Sequence, residues 1–295
     1  MAPSPPRTLG RLWLGAAGFS YADWVGPVYP IGTKSKDYLC EYAHYFRFVE
    51  INYSFYTMPS ARTLQGMALR APDLHFSLKA HQSMTHQRNA TAGDFAQFQR
   101  ALAPWIEGGK LITCLLQFPT SFHQTAENVQ WLERLREGFP SLPLVVEFRS
   151  RDWADKSILP LLRQLEIGWC SVDEPHFESL MPPVAAVTGP VSYVRFHGRN
   201  YAHWWNPPEP WMRYDYLYTR EELQDWVSRI ERMMEHAEDT AVVFNNHYRG
   251  QAVENAQLLY DMLPESVRAN TAMVAEPMPR VNSAHWKKLD ARNAD

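Results

Sequence analysis

Strand and helix patterns alternate eight times between residues 12 and 263, and this alternation constrains the fold more than any other feature of the chain. Short apolar runs at 12–17, 47–52, 74–80, 111–118, 143–148, 167–173, 191–197 and 240–246 read as strands. Segments at 36–46, 59–69, 95–106, 127–139, 158–165, 219–234 and 252–262 carry apolar residues at spacings of three and four, as Leu39, Tyr42, Ala43 and Phe46 do, and read as helices. Alternating strands and helices make parallel strands with crossover helices, and eight such units make a closed α/β barrel of the TIM (β/α)8 type the first choice over an open doubly wound sheet. Two units are irregular. Residues 174–190 carry prolines and no convincing helix, so the sixth helix is short or missing. Residues 198–218 form a long insert bearing Trp204, Trp205, Trp211, Tyr214, Tyr216 and Tyr218. Loops of this length are usually functional lids or binding segments.

The 295 residues suit one barrel domain, read as a flexible segment at 1–11, the barrel at 12–263 and a C-terminal extension at 264–295. No G-x-G-x-x-G or G-K-[ST] turn follows a strand, so a dinucleotide or P-loop site has no support. The net charge of −3 gives no global attraction to nucleic acid or anionic membranes. The absence of a global pull does not exclude nucleic acid as a partner, and nothing in the pattern fixes an oligomeric state. Cys40, Cys114 and Cys170 lack metal or disulfide spacing and read as reduced thiols. With no signal-peptide core and no membrane-length apolar run, the expected location is the cytoplasm.

In a parallel barrel, alternate side chains face the helices and the interior, so parity sorts each strand. Val49, Ile51, Phe76, Leu78, Leu116, Phe118, Val146, Phe148, Cys170, Val172, Val194 and Phe196 form the expected outward set. Their alternates carry the polar groups: Glu50, Asn52, Ser77, Lys79, Gln117, Glu147, Arg149, Asp173, Arg195, His197 and Asn245 or Asn246. These meet at the carboxyl ends of the strands, where barrel enzymes place their active sites. Burying ions costs several kcal/mol even after relaxation, so a crowd of acids and bases is a poor way to fill space.

Glu50, Glu147 and Asp173 are candidates for general acid and base, and His197 for a proton shuttle. Lys79 either lowers a neighbour's pKa or acts covalently once desolvated. Arg149 and Arg195 suit bidentate recognition of an anion, with Asn52, Tyr56, Gln117, Asn245 and Asn246 as further binding residues. Trp24, Trp153, Trp204, Trp205 and Trp211 offer stacking faces at the rim. No cofactor is predicted. A divalent metal is the second reading, although no H-x-x-x-H cluster is present.

These residues sit in motifs that resemble the YecE-like family, a domain of unknown function. They include Gly18-Phe19-Ser20-Tyr21 with Trp24, Val49-Glu50-Ile51-Asn52 with Phe55-Tyr56, and Lys79-Ala80 with Thr85-His86. Gln117-Phe118-Pro119, Val146-Glu147-Phe148-Arg149, Arg195-Phe196-His197-Gly198-Arg199 and Phe244-Asn245-Asn246 follow in the family's order. The resemblance implies a TIM-type barrel and no established activity. Ser150 and His247 depart from the histidine and aspartate usual at those positions.

The leading expectation is metal-independent acid/base chemistry on a small polar, anionic or polyhydroxylated ligand. The alternatives are a divalent-metal-dependent hydrolase or isomerase resembling the xylose-isomerase-like barrels, and a non-catalytic binder of glycan or single-stranded nucleic acid. On the leading reading, Glu147→Gln and Arg195→Ala are expected to leave folding intact and abolish binding or turnover.

Overall fold

The computed structural model describes residues 8–274. Eight parallel strands run in sequence order around a barrel: β1 (Arg11–Ala16), β2 (Phe48–Ile51), β3 (His75–Lys79), β4 (Leu111–Gln117), β5 (Leu144–Glu147), β6 (Ile167–Asp173), β7 (Val191–Phe196) and β8 (Asp239–Phe244). The β8 strand pairs with β1 over six residues, from Arg11 opposite Asp239 to Ala16 opposite Phe244.

The seam between β1 and β2 closes differently. Its one backbone bridge among the described residues joins Ala17 and Glu50. Below it, in α1 (Tyr38–Tyr42), the Tyr42 hydroxyl accepts from Ala16 N and donates to the Phe48 carbonyl, both at 2.8 Å. Gly15 makes room for this approach, since a Cβ there would lie 2.2 Å from the Phe48 carbonyl oxygen.

The remaining helices coat the barrel: α2 (Ala61–Arg70), α3 (Gln82–Thr85), α4 (Ala92–Glu107), α5 (Ala126–Gly138), α6 (Ile158–Gln164), α7 (Arg220–Met234) and α8 (Gln251–Met262). Local sequence sets their starts. Ser60 accepts from Thr63 N, and Thr91 with Asp94 and Thr219 with Glu222 form full capping boxes. The first helix is shorter than its apolar spacing predicts, because a 3-10 turn at Ser35–Asp37 precedes it. The β6–β7 connection contains no helix, in line with its prolines.

The sheet also continues past the expected limit at residue 263. After α9 (Glu265–Ala269), β9 (Thr271–Ala272) pairs with Leu12 and Trp13 of β1, and Phe46 bridges Met273, so this segment fills the amino-terminal half of the β1–β2 seam. Residues 1–7 of the expected flexible segment and 275–295 of the extension lie outside the described residues. No helix among the described residues is long and apolar enough to cross a membrane.

Candidate functional site

The carboxyl end of the barrel gathers a continuous network of ionisable groups. At its centre Arg195, on β7, donates from Nη1 to Glu147 Oε2 at 2.6 Å and from Nη2 to Glu50 Oε1 at 2.7 Å. All three side chains are buried. Glu50 also accepts from Asn52 Nδ2 at 3.0 Å and from the Tyr193 hydroxyl at 3.1 Å, while Tyr193 in turn pairs with Ser77 at 2.7 Å. Burial drives the Glu147 carboxyl up, but Arg149 and Arg195 outweigh it and hold that group well below the usual carboxylate range.

Arg149, just beyond β5, reaches from this centre toward solvent. Its Nε donates to Glu147 Oε1 at 2.5 Å and its Nη1 to Glu174 Oε2 at 2.7 Å. His197 sits against the same pair, with Nε2 3.2 Å from Glu147 Oε1 and Nδ1 accepting from Asn245 Nδ2 at 3.0 Å. Burial, then the Arg149 charge, lowers the imidazole to about 3, so the ring is neutral throughout the physiological range. It therefore orients Glu147 and does not act as an imidazolium donor.

Lys79, at the end of β3, donates to Gln117 Oε1 at 2.6 Å and lies 4.4 Å from the centroid of the Phe55 ring. It makes no ion pair among the described residues. Burial, reinforced by Arg195, lowers its ammonium to about 8. His86 beside it is neutral, lowered to about 4 by burial and then by Lys79.

Above the network lies a cleft of about 280 Å³ lined by His86, Gln117, Arg149, Arg213, Trp204 and Tyr214, with Thr120, Leu180 and Trp205 at its edge. The 198–218 insert supplies the roof. Trp204 is buried and faces the His197 ring edge-on at 6.5 Å, whereas Trp205 is 47% exposed. Arg213 stands 5.8 Å from the Trp204 ring centroid and, like Lys79, makes no ion pair among the described residues. Four buried polar atoms around the cleft and network, Asn52 Oδ1, Glu174 Oε1, Arg195 Nε and Arg213 Nε, have no hydrogen-bond partner among the described residues. Larger recesses, such as one lined by Leu9, Arg11 and Asp239, lie at the opposite end of the barrel.

The site thus unites Glu50, Asn52, Lys79, Gln117, Glu147, Arg149, Arg195, His197 and Asn245, all expected from strand parity. Three expected members are elsewhere. Asp173 faces the helix layer, because Val172, not Asp173, is opposite Arg195 in the β6–β7 ladder, and paired residues of parallel strands point the same way. Its carboxylate accepts from Trp226 Nε1 at 2.7 Å, the Tyr218 hydroxyl at 2.9 Å, and Arg199 at 2.6 and 2.7 Å. Cys170 and Val172, expected outside, are inward, and the Cys170 thiol lies 4.0 Å from Glu147 Oε2.

Asn246 likewise points away from the barrel axis, donating to the Tyr216 carbonyl and to Asn255 Oδ1, each at 2.8 Å. Tyr56 is 74% exposed and does not line the cleft, because the chain turns at 53–55 and presents Phe55 to Lys79 and His86 instead. Trp24 and Trp153 are buried in packing and offer no stacking face, and Trp211 stacks on Tyr248. The sequence reading missed Glu174. It shares the parity of Cys170 and Val172, so continuing that inward register one step past Asp173 would have found it. Burial raises its carboxyl to about 7, with Arg149 opposing.

Of the two departures from the YecE-like pattern, the Ser150 hydroxyl lies 3.1 Å from His123 Nδ1, outside the network. His247 stacks on Tyr21 at 4.4 Å with its imidazole lowered to about 4 by burial.

The pattern described as "Protein of unknown function DUF72" matches residues 13–281. The chain belongs to the DUF72 family. The UPF0759 protein YunF of Bacillus subtilis (strain 168) is 32% identical over 269 residues, covering 85% of this chain and 94% of YunF. Among solved structures, a DUF72 protein from Thermotoga maritima is 37% identical with a TM-score of 0.79, covering 85% of this chain and 98% of its own. One from Enterococcus faecalis is 28% identical with a TM-score of 0.77, covering 85% and 95%. These likenesses support the TIM-type barrel, and they carry no named activity.

Proposed function

We propose that the mouth of this DUF72 barrel binds a small anionic substrate and performs metal-independent acid/base chemistry on it. The observation that carries this reading is the charge balance around the cleft. Glu50, Glu147 and Glu174 face Lys79, Arg149, Arg195 and Arg213, so positive charge is in excess, and Lys79 and Arg213 have no carboxylate partner among the described residues. An anion resting on Arg213 and the outer edge of Arg149 would complete the balance, with Trp204, Trp205 and Tyr214 packed against its body.

Proton traffic falls to the two groups that titrate near neutrality, Glu174 at about 7 and Lys79 at about 8. Glu147 stays ionised and orders the guanidinium groups. Both its oxygens are already engaged by arginines, so a divalent ion there would have to displace one. Chelator treatment or added manganese, zinc or magnesium is therefore expected to leave anion affinity within twofold, roughly 0.4 kcal/mol.

The test is titration of the purified chain with sulfate and with benzenesulfonate, followed by tryptophan fluorescence. Saturable binding is expected, weakened roughly tenfold in Arg213→Met, about 1.4 kcal/mol, with an unchanged melting temperature. Absence of saturable binding, or equal affinity in the variant, would overturn the reading. The acid/base step is tested by NMR detection of solvent deuterium entering a panel of 2-oxo acids and sugar phosphates. Incorporation abolished by Glu174→Gln is the expected result.

A further inference from the structure

Lys79 serves the proposed anion site as a charge and a proton carrier, yet its surroundings suit a bond-forming role. We propose that Lys79 forms an imine with the carbonyl carbon of a small anionic aldehyde or ketone held in the cleft. This rests on the anion-binding reading and names its substrate class.

Three observations support the proposal. The first is position. Lys79 ends β3 at the mouth, stays partly open to solvent, and shares its hydrogen bond with Gln117, which lines the cleft. The second is that no carboxylate among the described residues locks the amine. Glu50 and Glu147, the acids that attract it electrostatically, are held by Arg195 and Arg149, leaving Nζ one neutral acceptor and the face of Phe55. The third is the set of charged groups around it, Arg195 from β7, Glu147 and Arg149 from the β5 end and Glu50 from β2, with the uncharged His86 ring alongside. A lysine desolvated beside another cation is an activated amine. With its ammonium at about 8, roughly a tenth of Lys79 is free amine at pH 7, far more than for an ordinary lysine.

The step balances without an oxidant or a second reactant. The ammonium first gives up a proton, and the nitrogen lone pair forms the C–N bond while the carbonyl π pair moves to oxygen. That oxygen departs as water carrying two hydrogens, equal to those lost by Nζ. Overall, an ammonium and a carbonyl give a protonated imine and water, with no net change in protons. The protonated imine keeps the positive charge that Glu50 and Glu147 already face, and the anionic group of the substrate meets Arg149 and Arg213.

The full chain is incubated with pyruvate, glyoxylate or dihydroxyacetone phosphate and sodium cyanoborohydride, then analysed by intact mass and peptide mapping. At least one of the three is expected to leave a single reduced adduct on Lys79, forming faster as pH rises from 7 to 9 and suppressed by saturating sulfate. Exposed Lys34, Lys36 and Lys156 serve as internal controls and are expected to be labelled at least tenfold more slowly. In Lys79→Arg the adduct is lost while Lys34, Lys36 and Lys156 are labelled as in the natural protein. Sulfate binding without any adduct, or equal labelling in the variant, would overturn the imine and leave the anion site standing. Failure of both sulfate binding and labelling would overturn the two readings together.

Discussion

Arg195 is fixed between two buried carboxylates, which changes what its removal must do. The sequence-based expectation that Arg195→Ala leaves folding intact gives way here, because truncation strands Glu50 and Glu147 as unpaired buried charges. Loss of a buried partner of this kind costs about 3–5 kcal/mol, and urea unfolding of the variant is expected to show it. Glu147→Gln removes one charge and leaves hydrogen-bonding capacity, so a smaller loss is expected. Glu174 makes a prediction of opposite sign. Its folded pKa, about 7, lies above the unfolded glutamate value, so the native state holds the extra proton between the two and stability falls as pH rises through that window. Glu174→Gln lacks this drop. Its stability relative to the natural protein is expected to improve between pH 5 and pH 8 by roughly 2–3 kcal/mol, read from parallel unfolding curves. A constant difference across that range would contradict the assignment.

Two elements depend on single side chains outside the site. Asp173 ties β6 to α7 through Trp226 and anchors both ends of the 198–218 insert through Arg199 and Tyr218. Tyr218 also accepts from Gly198 N at 2.9 Å, and Gly198 has φ +87°, where a Cβ would meet Tyr216 at 2.8 Å. Asp173→Ala is expected to destabilise the fold by about 3 kcal/mol or more, since four donors lose one buried acceptor group. It should also open the insert to proteolysis near Tyr201, checked by limited digestion and mass spectrometry. Strand parity was legible for five strands, β2 to β5 and β7, because an apolar outer face and a polar inner end gave the same answer. It failed on β6, where Asp173 and Glu174 offer adjacent carboxylates of opposite parity and only the pairing of Val172 with Arg195 decides between them.

For the molecule as a whole, closure of the barrel rests on the β1–β2 seam. Tyr42→Phe leaves Ala16 N and the Phe48 carbonyl without their shared partner, at a cost of about 1–3 kcal/mol. A thermal melt and hydrogen exchange at Ala16 would measure it. Ending the chain at residue 263 removes β9 and the buried Val267, exposing the lower edge of β1, and is expected to lower stability further.

The sequence by itself determined the barrel, its strand order and most of the ionisable set at its mouth, because these follow from local periodicity: a period of two along strands and of 3.6 along helices. Tertiary structure decided which carboxylate of Asp173 and Glu174 enters the site, how β1 meets β2, and that Phe55 rather than Tyr56 faces Lys79. Each of those outcomes depends on inter-strand register or on a turn between elements, where partners far apart in the chain set the direction of a side chain and no local pattern encodes it.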